Sequence, residues 1–184
     1  VGVAMAVQEE WWILAIQPPL VLIFLGWLRT TDSGRRAGAR ALGTSRTPEK
    51  LARASEMGLA VGIRGGDREW ADDVLEATDG RGVDVILDLV GGPYLQGNLR
   101  ALASRGRIIT VGITGGRKEV IDLRMLMAKR GSITGTVLRA RPLEEKAALA
   151  QHFQRVALAA VGDGRLAPVL DETFAAQDAA DAHR

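Results

Sequence analysis

GVDVILDLVGG at 82–92, GRIITVGITGG at 106–116 and KRGSITGTVLRAR at 129–141 decide the fold of this chain. Each holds an apolar run of strand length bounded by glycine, and the segments between them have helical spacing. The first two end in glycine pairs, just past the carboxyl end of the strand. In an open parallel sheet that edge is where a nucleotide lies. A residue without Cβ there lets a ligand approach the backbone closely. Val85, Ile86 and Leu87 are consecutive and apolar, as in a strand covered on both faces. The three stretches read as half of a dinucleotide-binding sheet.

Outward from this centre the alternation continues. Upstream, Ala39 to Thr44 reads as a strand, and Thr47 then caps a helix with Pro48 at its first position and Gly58 past its end. Leu59 to Ile63 is a strand. Asp67 can cap a helix containing Trp70, Val74 and Leu75. Val83 to Val90 is a strand, Tyr94 to Ser104 a helix and Arg107 to Val111 a strand. Leu123 to Lys129 is a short helix before strand Ser132 to Leu138. Pro142 opens a helix reaching Val161, followed by strand Pro168 to Leu170 and helix Ala175 to His183. Alternation of this kind is the mark of βαβ units with right-handed crossovers.

The amino-terminal part has another character. Residues 11–28 carry no charge and hold three of the four tryptophans. The run approaches a membrane span in length, but Pro18-Pro19 breaks it. The expectation is a buried strand at Leu20 to Leu25 in a poorly formed leader, with a membrane tether through 11–28 as the alternative. Domain organisation is therefore read as an irregular apolar and basic leader, 1–37, and one domain, 38–184.

Composition bounds the chemistry. The 184 residues suffice for one core, and a net charge of +2 gives no reason to expect a nucleic-acid partner. Residues 29–53 hold seven Arg or Lys against two acids, with no aromatic interleaved for base stacking. The absence of cysteine excludes disulfides, thiolate zinc sites and cysteine nucleophiles, and is compatible with a cytoplasmic location. No metal site and no acid–base catalyst is expected.

The phosphate-cradling GxGxxG motif is missing before Ala39. Its nearest match, Gly162 to Ala167, follows a helix and precedes a strand, which is the wrong order. Past the strand ending at Thr44 come Ser45, Arg46 and Lys50, and Arg64 ends the next strand. An acid there would bind the ribose 2′-OH of NAD, whereas a hydroxyl and cations favour the 2′-phosphate of NADP. The same residues also fit an ordinary solvated helix start. Val90-Gly91-Gly92 and Gly112-Ile113 through Gly116 would pass under the nicotinamide ribose and pyrophosphate, or be plain strand-to-helix turns. Asp84 and Asp88 fit polar positions bonded to turn backbone better than a catalytic pair.

With ALGTSRTPEKLARASEMG at 41–58, DGRGVDVILDLVGGPYL at 79–95, AKRGSITGTVLRAR at 128–141 and GRLAPVLDETF at 164–174 added to GRIITVGITGG, the chain resembles a known family. It is similar to the cofactor domain of NAD(P)H:quinone oxidoreductases, the zinc-independent branch of the medium-chain dehydrogenase/reductase superfamily. The resemblance spans roughly residues 38–183. It implies an α/β, doubly wound (Rossmann-like) parallel sheet, incomplete at its N-terminal βα unit and its C-terminal end. FLGWLRTTDSGRRA at 24–37 stands where the family has a glycine-rich loop and helix. The implied activity is hydride transfer from NADPH to a small-molecule quinone or enone in a two-domain enzyme, with a homodimer as a possible assembly. The implied cofactor contacts are Ser45, Arg46 and Lys50 at the adenosine phosphate, then Val90 and Gly91, Gly112 and Ile113, and Val137, Leu138 and Arg139 near the nicotinamide. The alternative is a nucleotide-binding remnant or interaction module without turnover.

Overall fold

The computed structural model describes residues 2–4, 40–66, 69–164 and 173–182. The expected strands at Leu20 to Leu25 and Pro168 to Leu170, the Asp67 cap and the run 11–28 lie outside these residues.

Among the described residues six strands build one sheet: β1 (Gly2–Ala4), β2 (Leu42–Ser45), β3 (Val61–Arg64), β4 (Val83–Asp88), β5 (Leu102–Thr110) and β6 (Ser132–Gly135). The helices are α1 (Pro48–Glu56), α2 (Trp70–Glu76), α3 (Leu95–Ala101), α4 (Leu123–Lys129), α5 (Leu143–Gly162) and α6 (Ala179–Ala182). The strands lie side by side in the order β3-β2-β1-β4-β5-β6. β2 pairs parallel with β3, and β4, β5 and β6 pair parallel in succession. This is the expected doubly wound sheet, with one reversed strand, β1, added from the stretch expected to be an irregular leader. β1 runs antiparallel to both β2 and β4. Antiparallel pairing carries none of the crossover constraint that directs strands joined by a helix.

The core sits between the sheet and α2 and α3. Leu42, Ile63, Val83, Ile86 and Ile108 of the strands meet Trp70, Ala71 and Val74 of α2 and Leu99 and Ala101 of α3. The two helices approach closely because Gly97 has no side chain: a Cβ there would lie 2.4 Å from Cζ2 of Trp70. The Trp70 ring also stacks on Tyr94, with centroids 5.1 Å apart.

Local signals place most elements. Pro48 opens α1, and Gly58, at φ +103°, follows it. The Thr47 side chain makes no capping bond; its backbone N–H donates to Ser45 Oγ instead, at 3.2 Å. Asp122 caps α4, accepting from Arg124 N–H at 2.9 Å and Met125 N–H at 3.3 Å. The helix expected over Tyr94 to Ser104 ends early, at Ala101, and the chain passes straight into β5. Leu102 is fully buried, which draws the chain inward at that point. The end is covered by Lys129, whose Nζ donates to the carbonyls of Arg100 (3.2 Å) and Leu102. The helix expected over Ala175 to His183 is a 3₁₀ turn, Ala176–Asp178, followed by α6, with His183 outside the described residues.

Leu99 is fully buried and Leu123 is 59% exposed. Leu99→Ala is expected to lower the free energy of urea unfolding by about 2–5 kcal/mol, and Leu123→Ala by less than ~0.5 kcal/mol. Similar losses for both would place the core elsewhere.

Candidate functional site

The parallel pairings bring the carboxyl ends of β2 to β6 to one edge of the sheet. The amino end of β1 reaches the same edge, where Gly2 pairs with Thr44. Every residue singled out in the sequence for cofactor contact ends a strand here or follows one.

The β2–β3 side is cationic. Arg64 is the register partner of Ser45, so Arg46 and Arg64 leave adjacent strand ends, and both are exposed. Lys50, one turn into α1, is exposed as well. The aliphatic stem of Arg46 runs against Gly66, where a Cβ would lie 2.9 Å from Arg46 Cγ. Ser45 lies deeper than the cations. It is buried, its hydroxyl accepts from Thr47 N–H, and its carbonyl accepts from Gly65 N–H at 3.0 Å. A small hydroxyl beside its own turn closes that turn, so Ser45 shapes the site and the cations remain as its exposed donors.

The β4–β5 side is built from backbone. The two glycine turns interlock: Gly91 bridges Gly116, Gly92 N–H donates to Gly116 O at 2.9 Å, and Gly115 N–H donates to Val90 O at 2.8 Å. Gly91 takes φ +87°, and a Cβ on it would lie 2.4 Å from Gly116 O, so only glycine fits. Thr114 Oγ1 donates to Leu89 O at 3.0 Å. Val90 and Gly112 are half-buried, while Ile113 is 57% and Val137 55% exposed, leaving two apolar side chains open at the ends of β5 and β6. Leu138 is half-buried and Arg139 exposed.

Two side chains organise this edge, and the first is not conspicuous in the sequence. Arg141 donates from Nε to Val137 O at 3.2 Å and from an Nη to Thr136 Oγ1 at 3.1 Å, which fixes the strand end of β6 against the start of α5. The neighbouring Arg139 instead presents its carbonyl to Lys146 Nζ at 3.0 Å. Spacing alone does not tell which of these two arginines turns inward.

The second is Asp88. Val90 N–H and Gly91 N–H both donate to its Oδ1 at 2.9 Å. It is thus a polar position bonded to turn backbone, as the sequence suggested. Asp84 is not: it forms an exposed ion pair with Arg81. Burial pushes the Asp88 carboxyl above the ordinary carboxylate range, and the N–H groups of Gly91 and Val90 draw it back only in part.

Among the described residues no three His, Asp or Glu side chains gather to hold a metal ion. No described helix is long and apolar enough to cross a membrane.

The zinc-binding dehydrogenase family profile matches residues 33–155, two thirds of the chain. The chain belongs to this family. It is 29% identical over 156 residues to the quinone oxidoreductase of Rattus norvegicus, covering 85% of the chain and 46% of the relative. It is 34% identical over 99 residues to a Burkholderia 2-haloacrylate reductase, covering 54% of the chain and 30% of the relative. A mycobacterial protein solved in complex with NADPH superposes with a TM-score of 0.66 at 26% identity, over 88% of this chain and 49% of that one. The chain thus spans about half the length of the rat enzyme. These relatives agree with the resemblance to quinone oxidoreductases and with the doubly wound fold.

The raised Asp88 pKa has a consequence for stability. The folded state holds that proton more tightly than the unfolded chain does, so the penalty of the buried charge applies at neutral pH and is relieved as pH falls through the folded pKa. Asp88→Asn removes this titration. In urea unfolding the wild type should gain stability relative to Asp88→Asn between about pH 7 and pH 4, the approach to the ordinary carboxylate range. A difference independent of pH would contradict the assignment.

Proposed function

We propose that this edge binds NADP(H) and that the chain is the cofactor-binding part of a reductase passing hydride from NADPH to a small quinone or enone. The observation that carries the reading is the pair Arg46 and Arg64. They leave adjacent strand ends on the edge where the two glycine turns interlock, in a chain of the zinc-binding dehydrogenase family. The donor set suits the cofactor. Guanidinium and ammonium groups match a 2′-phosphate, and no carboxylate follows Ser45 until Glu49, so nothing in that turn favours an unphosphorylated ribose. Arg46, Lys50 and Arg64 take the adenosine phosphate, with Ser45 holding their turn. Val90 and Gly91, then Gly112 and Ile113, line the path toward Val137, Leu138 and Arg139.

The bound cofactor would supply the hydride. The contribution of this chain is to hold the dinucleotide along the edge, with Ile113 and Val137 as apolar surface at the β5 and β6 ends. The names of the relatives, a quinone oxidoreductase and a 2-haloacrylate reductase, share one electrophile class, a double bond conjugated to a carbonyl. That supports an activated alkene or quinone as acceptor.

One observation favours a second reading, a nucleotide-binding module without turnover. β1 begins at the ligand edge and runs away from it, and among the described residues no helix N-terminus stands beyond it at that edge to hold a pyrophosphate. Steady-state NADPH oxidation with a simple quinone, after a catalytic domain of a family relative is added back, distinguishes the two readings: turnover supports the reductase part, and its absence the module.

Arg46→Ala is expected to weaken NADPH binding by ~1.5–3 kcal/mol, the range for a hydrogen bond to a charged group, and to leave NADH nearly unchanged. Fluorescence titration with both cofactors checks this. Equal losses would show that Arg46 does not read the 2′-phosphate.

A further inference from the structure

Asp88 is the point at which both glycine turns are tied to the sheet. Its side-chain Oδ1 receives Val90 N–H and Gly91 N–H, both at 2.9 Å, from the turn after β4. Its main-chain carbonyl receives Val111 N–H at 2.8 Å and Gly112 N–H at 3.1 Å, from the turn after β5. Four backbone donors from two turns converge on one residue that is 3% exposed. Behind it, on α3, Asn98 is 2% exposed, and its Nδ2 makes no hydrogen bond although it lies close enough to act on the Asp88 carboxylate. A cavity of about 20 Å³ is lined by Asp88 and Asn98 together with Thr44, Tyr94 and Trp70. A buried amide left unpaired costs free energy, and an anion in a low-polarity site needs fixed donors around it. Both requirements are met most simply when the amide turns toward the carboxylate.

We infer that Asp88, supported by Asn98, is a positioning residue that sets the spacing between the two glycine turns and so the affinity of this edge for a dinucleotide. The inference rests on reading the edge as a dinucleotide site. Asp88 reaches the ligand only through the turns: its Oδ1 is occupied by their N–H groups and it is covered from solvent. Removing the side chain frees Val90 N–H and Gly91 N–H and leaves the φ +87° turn at Gly91 without its clamp. The Arg46 end, on β2, stays as it is. The effect on binding must therefore be confined to the half of the ligand that passes over the glycines. A carboxamide at this position keeps an oxygen that can accept both N–H groups, so Asp88→Asn should behave like the wild type.

The test uses the full chain, two probes and one ligand-free measurement. NADPH spans both halves of the edge, whereas adenosine 2′-monophosphate engages the arginine end alone. Asp88→Ala should weaken NADPH about tenfold or more, the loss of roughly one charge-assisted hydrogen bond, and change the nucleotide monophosphate by less than about twofold. Asp88→Asn should restore NADPH binding. Amide hydrogen exchange in the free protein should speed up at Val90 and Gly91 in Asp88→Ala and not in Asp88→Asn. Should Asp88→Ala fail to fold, Asn98→Ala carries the same comparison, with a smaller loss for NADPH and faster exchange at the same two amides. Unchanged exchange at Val90 and Gly91, or equal losses for both probes, would overturn the inference. If the wild type binds neither probe, the cofactor reading fails, and the exchange measurement still decides whether Asp88 clamps the turn.

Discussion

The parallel pairing of β4 with β5 is the constraint on which the rest of the site depends. It sets Asp88 opposite Thr110, so the two strands end together and their turns must share the same space. That crowding is why Gly91 and Gly116 lie in contact and why neither turn can carry a side chain inward. The register is pinned from behind by Leu102 and Ile108, fully buried against α2 and α3. A shift of one residue would expose both and break the turn-to-turn bonds, so the apolar core and the ligand edge enforce each other.

The division of labour along the edge follows from residue type. The β2–β3 side presents long cationic side chains in solvent, whose attraction for a phosphate acts at a distance and yields to salt. The β4–β5 side presents main chain with little freedom, held by hydrogen bonds to a buried carboxylate. Under the proposed function, the first side would distinguish phosphorylated from unphosphorylated ribose, and the second would fix where the rest of the ligand lies. The reversed β1 sits between them, in the slot from which the described residues supply no helix N-terminus.

Much of this was legible in the sequence. Apolar runs ending in glycine located β4 and β5, and Pro48 with Gly58 bounded α1 almost to the residue, because those signals are local and steric. β1 itself was not legible, since three small residues in a stretch read as an irregular leader carry neither a strand period nor a directional signal. The early end of α3 was missed because it depends on Lys129, 27 residues beyond Leu102, reaching back to the free carbonyls. At this edge, the places of Arg46 and Arg64 follow from their strand ends, whereas the burial of Ser45 and its bond from Thr47 N–H are set by packing that the sequence does not display. The choice between Arg139 and Arg141 is likewise tertiary: Thr136 and Val137 O select the second.

The central claim is that one sheet edge, from Arg64 through Arg46 and Gly91 to Val137, binds a phosphorylated dinucleotide. Backbone amide chemical-shift mapping of the isotope-labelled chain during NADPH titration tests it most directly. The account predicts saturable shifts concentrated at Arg46, Gly91, Gly112, Ile113 and Val137, with the opposite edge at Leu42 and Val83 unmoved. Shifts scattered over both edges, or none at millimolar NADPH (roughly 4 kcal/mol of binding free energy), would contradict it.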